Sequence, residues 1–337
     1  MRRIFLYYPL IYLIILFVLD KLIFTLPFFE KSFIQGGNVV YYRQREILFE
    51  KLKNTKLDKK LILAMGDSRA YPYTELGFND KQKKEYTLYN FSLPQAIPAT
   101  SLFYLEKFYE NKIIPKVVFL TVSPEAFNDD FKAMHKPFMR LAASNEFILK
   151  YYNQFSKDEM IEFMLDQFIV LRKIELDYKL LFSRFRNGKL NEYLPENNPR
   201  IKLLNLGKGE ELSYTAFFND EKKLASDSRR IKQIYFSNYK VHETQFFFLE
   251  KFLQLAQEHD TQVILIFPKV YKDYREIYVQ EKIDEKVEKR IQALGEKYSA
   301  KYLSLDKESN CELFYDASHQ SVSCFVDQIQ LVMDRIR

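Results

Sequence analysis

The chain has 337 residues, 47% hydrophobic and 28% charged, which is enough to bury one large core or two small ones and too apolar for a disordered protein. Its 51 Lys and Arg against 45 Asp and Glu leave a formal charge of +6, spread along the whole length rather than gathered into the basic stripe a nucleic-acid channel needs, so a nucleic-acid partner is disfavoured. The 24 Tyr and 31 Phe fall at strand or helix spacing among Leu and Ile and read as core rather than as stacking platforms.

The amino terminus stands apart. After Met1-Arg2-Arg3 come sixteen uncharged residues, Ile4 to Leu19, then Asp20-Lys21 and an apolar stretch to Phe29 broken by Thr25 and Pro27. Sixteen residues make only about 24 Å of helix against a hydrocarbon core of ~30 Å, and the continuation supplies the missing length. Residues 4–29 are therefore expected to form one transmembrane helix in the lipid bilayer, with residues 1–30 as the anchor. A cleaved signal peptide is the rival, but no Ala-x-Ala-like site is present. A buried core helix is the other, but the segment has no strongly polar face. Arg2 and Arg3 favour a cytoplasmic amino terminus, although Lys21, Lys31, Arg43 and Arg45 on the far flank blunt the bias. The rest of the chain is then expected outside the cytoplasm, on the periplasmic side of the cytoplasmic membrane. Residues 31–60 are charged, helical in part from Arg43 to Lys53, and read as a spacer.

From residue 61 to 337 short apolar runs recur at Leu61–Met65, Tyr86–Phe91, Lys116–Val122, Gln262–Phe267 and Lys301–Leu305. Amphipathic helix patterns separate most of them: Ala99–Asn111, His242–His259 and Asp284–Tyr298, with Val322–Ile336 as a closing helix. This alternation predicts a three-layer α/β sandwich with a parallel sheet of about five strands. The polar, helical stretch 129–240 interrupts it, with helix candidates at Phe147–Tyr152, Met160–Ile174 and Leu176–Phe185 and a loop around Asn191–Lys208. It reads as an insertion after the third strand, either a cap over the strand ends, where open α/β sheets bind ligands, or a subdomain that only thickens the fold.

Two motifs carry chemistry. Gly66-Asp67-Ser68 directly follows the first strand, where a sharp turn presents the Ser68 hydroxyl and N–H at the sheet edge. Asp316-Ala317-Ser318-His319 precedes the last helix and can supply a base, His319, and its orienter, Asp316. Together they spell a Ser-His-Asp triad. Cys311 and Cys324, the two cysteines of the chain, bracket the second motif. In an oxidising compartment a bridge between them would be worth about 3 kcal/mol and would hold the base in place. Two separate buried thiols are the alternative. No His, Cys or carboxylate spacing suits a metal, and no glycine loop suits a phosphate, so no cofactor is expected.

The order Gly-Asp-Ser after the first strand, a loop motif after the second and Asp-x-x-His before the final helix resembles the SGNH (GDSL-like) hydrolase superfamily, whose fold is flavodoxin-like. The anchor and the helical insertion are similar to its envelope branch, which includes alginate acetylation proteins and the D-alanyl transfer protein of teichoic acids. The resemblance covers roughly residues 61–336 without the insertion. It implies Ser68 as nucleophile, His319 as general base and Asp316 as orienter. It also implies an oxyanion hole built from the second and third blocks, and here this chain departs from the pattern. Ser92 stands where a glycine is expected, and the third strand ends Thr121-Val122-Ser123-Pro124-Glu125 without the usual Asn. Backbone donors at Ser68 and Ser92 remain, with Asn90, Ser123 or Asn128 as third donor or as turn residues. An incomplete hole would cost on the order of 3 kcal/mol of transition-state stabilisation. Asp67 reads as a brace for its own turn, and Arg69 as a solvated helix-start arginine, with contact to an anionic substrate as the alternative.

Three functions follow as expectations. The first is a membrane-anchored serine esterase acting on an acyl-ester or envelope glycan substrate. The second is an O-acyltransferase fed by a membrane acyl-transfer partner, and the third an envelope scaffold that keeps the fold without catalysis.

Overall fold

The computed structural model describes residues 7–25, 37–130, 132–135, 137–173, 178–188 and 207–336. In chain order the elements that position the site are α1 (Tyr8–Thr25), α2 (Gly37–Lys53), β1 (Lys60–Met65), β2 (Tyr86–Asn90), α3 (Pro98–Glu110), β3 (Val117–Thr121), α4 (Lys157–Phe168), α5 (Tyr178–Arg186), α6 (Glu221–Ile231), α7 (Glu243–Glu258), β4 (Gln262–Phe267), α8 (Lys272–Gln280), α9 (Lys289–Lys297), β5 (Lys301–Ser304), the short strands β6 (Phe314–Asp316) and β7 (His319–Gln320), and α10 (Phe325–Met333).

The first five strands form one parallel sheet in the order β2-β1-β3-β4-β5, the doubly wound order in which the crossover reverses between β1 and β3. Register runs Ala64↔Asn90 and Met65↔Leu120, then Leu120↔Leu265 and Ile266↔Leu303. Side chains alternate between two cores. Leu61, Leu63 and Met65 pack with α2, α3 and α7, whereas Ile62 and Ala64 face α10 through Ile329 and Val332. Strands covered on both faces read as continuous apolar runs, which is why all five sequence runs fall on strands.

Within the expected spacer at 31–60, α2 is packed rather than free. Leu48, Phe49 and Leu52 of α2 are buried in the main core, with the Phe49 ring 5.3 Å from Phe108 of α3. Arg45, one of the charges that suggested a linker, is fully buried and donates from Nε and NH2 to the Ser92 carbonyl at 2.9 and 2.7 Å.

The insertion leaves and re-enters at one neck between β3 and α7. Asn128 and Val241 form an antiparallel bridge there, the Asp129 N–H donates to Lys240 O, and the Asn128 amide donates to Tyr235 O. Most of the loop expected at 191–208 lies outside the described residues.

At the amino terminus α1 is a helix as expected, and its apolar side chains from Tyr8 to Leu19 are exposed. Among the described residues, however, no helix is long and apolar enough to cross a membrane, so the expected spanning helix is not found. Asp20 and Lys21 interrupt α1 and turn to the insertion: the carboxylate accepts from the N–H groups of Val170 and Leu171 at 2.7 and 2.9 Å, and Lys21 Nζ donates to Gln167 O. Residues 1–6 and 26–30, which carry the rest of the expected anchor, and 31–36 of the expected spacer lie outside the described residues.

Candidate active site

β1 ends at Met65, and Gly66 turns the chain at φ +112°, where a Cβ would sit 2.3 Å from the Thr121 carbonyl oxygen. Only glycine allows this conformation and this close approach to β3. Asp67 then caps a short 3-10 turn, Ser68–Ala70, its carboxylate accepting from the Arg69 N–H at 3.0 Å. Ser68 thereby sits at the carboxyl edge of the sheet, beside the switch point of the strand order.

His319, the expected base, arrives on a hairpin rather than a loose loop. β6 and β7 pair antiparallel with Asp316 opposite His319, so two residues three apart in sequence face each other across a tight turn. Ser68 Oγ lies 2.7 Å from His319 Nε2, and His319 Nδ1 lies 2.9 and 3.0 Å from the two Asp316 oxygens. The Asp316 carboxylate also accepts from the N–H groups of Ser318 and His319 and from the Ser318 hydroxyl. Burial opposes its ionisation, but His319 and these donors outweigh burial and hold the Asp316 carboxyl well below the usual carboxylate range. The structure thus brings the three sequence candidates into one hydrogen-bonded chain. Cys311 and Cys324 form a disulfide with Cα atoms 5.6 Å apart, closing the segment that carries the hairpin.

The second and third blocks are built differently from the expectation. Asn90 is fully buried, and its amide nitrogen donates to the carbonyls of Ala70, Tyr71 and Tyr73. The Ser92 N–H donates to Asn90 Oδ1 at 3.0 Å, and the Ser92 carbonyl accepts from Arg45. Both groups therefore brace the nucleophile turn and are already committed, which removes Asn90 and Ser92 as oxyanion donors. Ser123 is buried and lies outside the lining of the cleft, and Asn128 closes the neck of the insertion. Of the proposed donors, the Ser68 N–H is the one at the site, and Asp67 takes the Arg69 N–H rather than this one.

Arg69 corrects the sequence reading most sharply, because its side chain is buried. NH1 donates to Asp67 and to Glu125 at 3.1 and 3.0 Å, NH2 donates to Glu125, and Nε donates to the Ser318 carbonyl at 2.9 Å. Burial opposes this charge, but Glu125 and Asp67 hold the guanidinium protonated well above its ordinary value. Tyr278 O–H closes the network on Glu125. One side chain thus joins the nucleophile turn, the loop after β3 and the base hairpin. Glu125 occupies the block where the usual Asn was missing, and its position at the end of the third strand was the available signal.

Above these residues opens a cleft of about 270 Å³. Ser68, His319 and Asp316 line it together with Pro94, Gln95 and Ala96, and the insertion supplies Tyr214, Arg230, Ile231 and Tyr235. The Tyr214 ring lies 4.7 Å from His319 and stacks on Tyr315 at 5.0 Å. Sequence inspection alone did not single out these insertion residues, since nothing local marks them. The insertion therefore supplies part of the cleft wall.

No curated protein matches the chain. It belongs to a family of proteins of unknown function (DUF1574), matched over residues 1–336.

Proposed function

We propose that this DUF1574 chain is a serine enzyme of the SGNH type that cleaves an acyl ester through an acyl-Ser68 intermediate. The observation that carries the reading is the hydrogen-bonded chain from Ser68 through His319 to Asp316 at the floor of the cleft. His319 Nε2 takes the Ser68 proton as Oγ attacks the ester carbonyl, and gives that proton to the departing alcohol. It then takes a proton from water, which attacks the acyl carbon, releases the acid and restores Ser68. Asp316 holds the imidazole with Nε2 towards Ser68 and offsets the charge of the imidazolium. The Ser68 N–H supplies one oxyanion donor at the start of its turn.

Residues 4–29 would seat the enzyme at the cytoplasmic membrane, with the rest of the chain outside the cytoplasm. The exposed apolar surface of α1 and the Cys311–Cys324 bridge, a feature of oxidising compartments, support this placement. Transfer of the acyl group to an envelope glycan hydroxyl uses the same intermediate and differs only in what attacks it.

Product analysis separates the two. Full-length protein in detergent, given a nitrophenyl acyl ester with and without glycan acceptors, is expected to release free acid in both cases. An acylated glycan would assign the transferase reaction instead, and no Ser68-dependent turnover in either mixture would contradict the proposal.

A further inference from the structure

Helix α4 is built inside out for a protein surrounded only by water. Its carboxylates Glu159 and Asp166 are buried. Glu159 accepts from the N–H groups of Met134 and Ser156, and Asp166 is gripped by Arg140 through Nε and NH2, both at 2.7 Å. The opposite face carries Ile161, Met164, Leu165 and Phe168, at spacings of three, one and three residues, and all four are exposed. Those spacings make one continuous apolar stripe along a helix. A stripe of this kind ordinarily faces a core, and an exposed one marks an interaction surface.

Two features of the molecule identify what covers it. The first is continuity with α1: Asp20 accepts from the turn that follows α4 and Lys21 donates to Gln167 in its last turn, so the end of α4 abuts the helix whose apolar side chains are exposed. The second is the chemistry of α5, YKLLFSRFR, which has three basic residues and no acid. Phe182 and Phe185 on it are 74% and 72% exposed, and Lys179 and Arg186 are exposed beside them. Large apolar side chains together with Lys and Arg on a short helix match a surface that lies in the headgroup region of an anionic bilayer.

We infer that the insertion is a second membrane contact, with α4 and α5 lying in the lipid interface beside α1. This rests on the reading of α1 as membrane-seated and extends it. The insertion that docks on lipid also walls the cleft through Tyr214, Arg230 and Tyr235, so seating it fixes the orientation of the active site relative to the membrane.

The chain has no Trp, so a single introduced Trp reports its own surroundings. Four full-length variants, Leu13→Trp in α1, Phe168→Trp in α4, Phe182→Trp in α5 and Val279→Trp at an exposed position of α8 outside the insertion, are reconstituted into phosphatidylcholine and phosphatidylglycerol vesicles containing acyl-chain-brominated lipid. Phe168→Trp and Phe182→Trp are expected to lose about half or more of their emission, since an interfacial helix sits roughly 5–10 Å into the acyl boundary, while Val279→Trp keeps its emission. Quenching at Leu13→Trp with none at positions 168 and 182 would overturn this inference and leave α1 at the membrane. Absence of quenching at all three would overturn both, and quenching at Val279→Trp equal to the rest would mean unspecific adsorption and also overturn the inference.

Discussion

Replacing His319 with alanine is expected to lower acyl-ester turnover by about a thousandfold or more, with little change in folding stability. The imidazole makes the single side-chain link from the Asp316 carboxylate to the Ser68 hydroxyl, at 2.9 and 2.7 Å. Without it the serine has no proton acceptor, and the leaving alcohol has no donor. The loss should appear in kcat rather than KM, because a proton acceptor that acts only in the transition state contributes nothing to ground-state binding. Steady-state kinetics on a nitrophenyl ester, together with a thermal melt, would check this. A rate within a fewfold of the parent enzyme would refute the triad.

The second large effect is expected on stability. Arg69→Met should cost about 3–5 kcal/mol, because it leaves the buried carboxylates of Asp67 and Glu125 facing each other without the cation they share. The side chain is nearly as long, so lost packing is not the cause. The double variant Arg69→Met with Glu125→Gln removes one of the stranded charges and should recover part of the loss. Urea unfolding of the full-length proteins in detergent would measure both. A single-variant loss below about 1 kcal/mol would show that the network is solvated and does not clamp the site.

These two residues also show where the sequence was legible. Ser68, Asp316 and His319 could be read because each sits in a short motif tied to an element boundary: a strand end before Gly66, and the start of the closing helix after Gln320. The five strands were legible for a related reason, since a parallel strand buried on both faces leaves an unbroken apolar run such as Leu61–Met65 or Gln262–Phe267. Arg69 was misread because its decisive partner, Glu125, lies 56 residues away, and no local pattern distinguishes a buried arginine from a solvated one. The same blindness turned α2 into a spacer. Its charges, clustered from Arg43 to Lys53, suggest a solvated linker, although Tyr41, Leu48, Phe49 and Leu52 pack it into the core.

Asn90 and Ser92 illustrate a subtler gap. Their place after the second strand was correct for an oxyanion block, but which backbone groups they serve depends on where the Ser68–Ala70 turn ends. The carbonyls of Ala70, Tyr71 and Tyr73 converge on the Asn90 amide. With the Asn90 amide spent on the turn and the Ser92 N–H spent on Asn90 Oδ1, neither is left as an oxyanion donor for the proposed mechanism. If the proposed ester chemistry holds, slow turnover on generic esters is the expected outcome.

An activated nucleophile at Ser68 is the core of the proposed function. It is tested most directly by covalent labelling of the full-length protein with a fluorophosphonate, parent beside Ser68→Ala. Labelling of the parent and none of the variant, with both melting at nearly the same temperature, is the predicted result. Equal labelling of the two would place the reactive serine elsewhere, and two folded proteins that both stay unlabelled would contradict an activated Ser68.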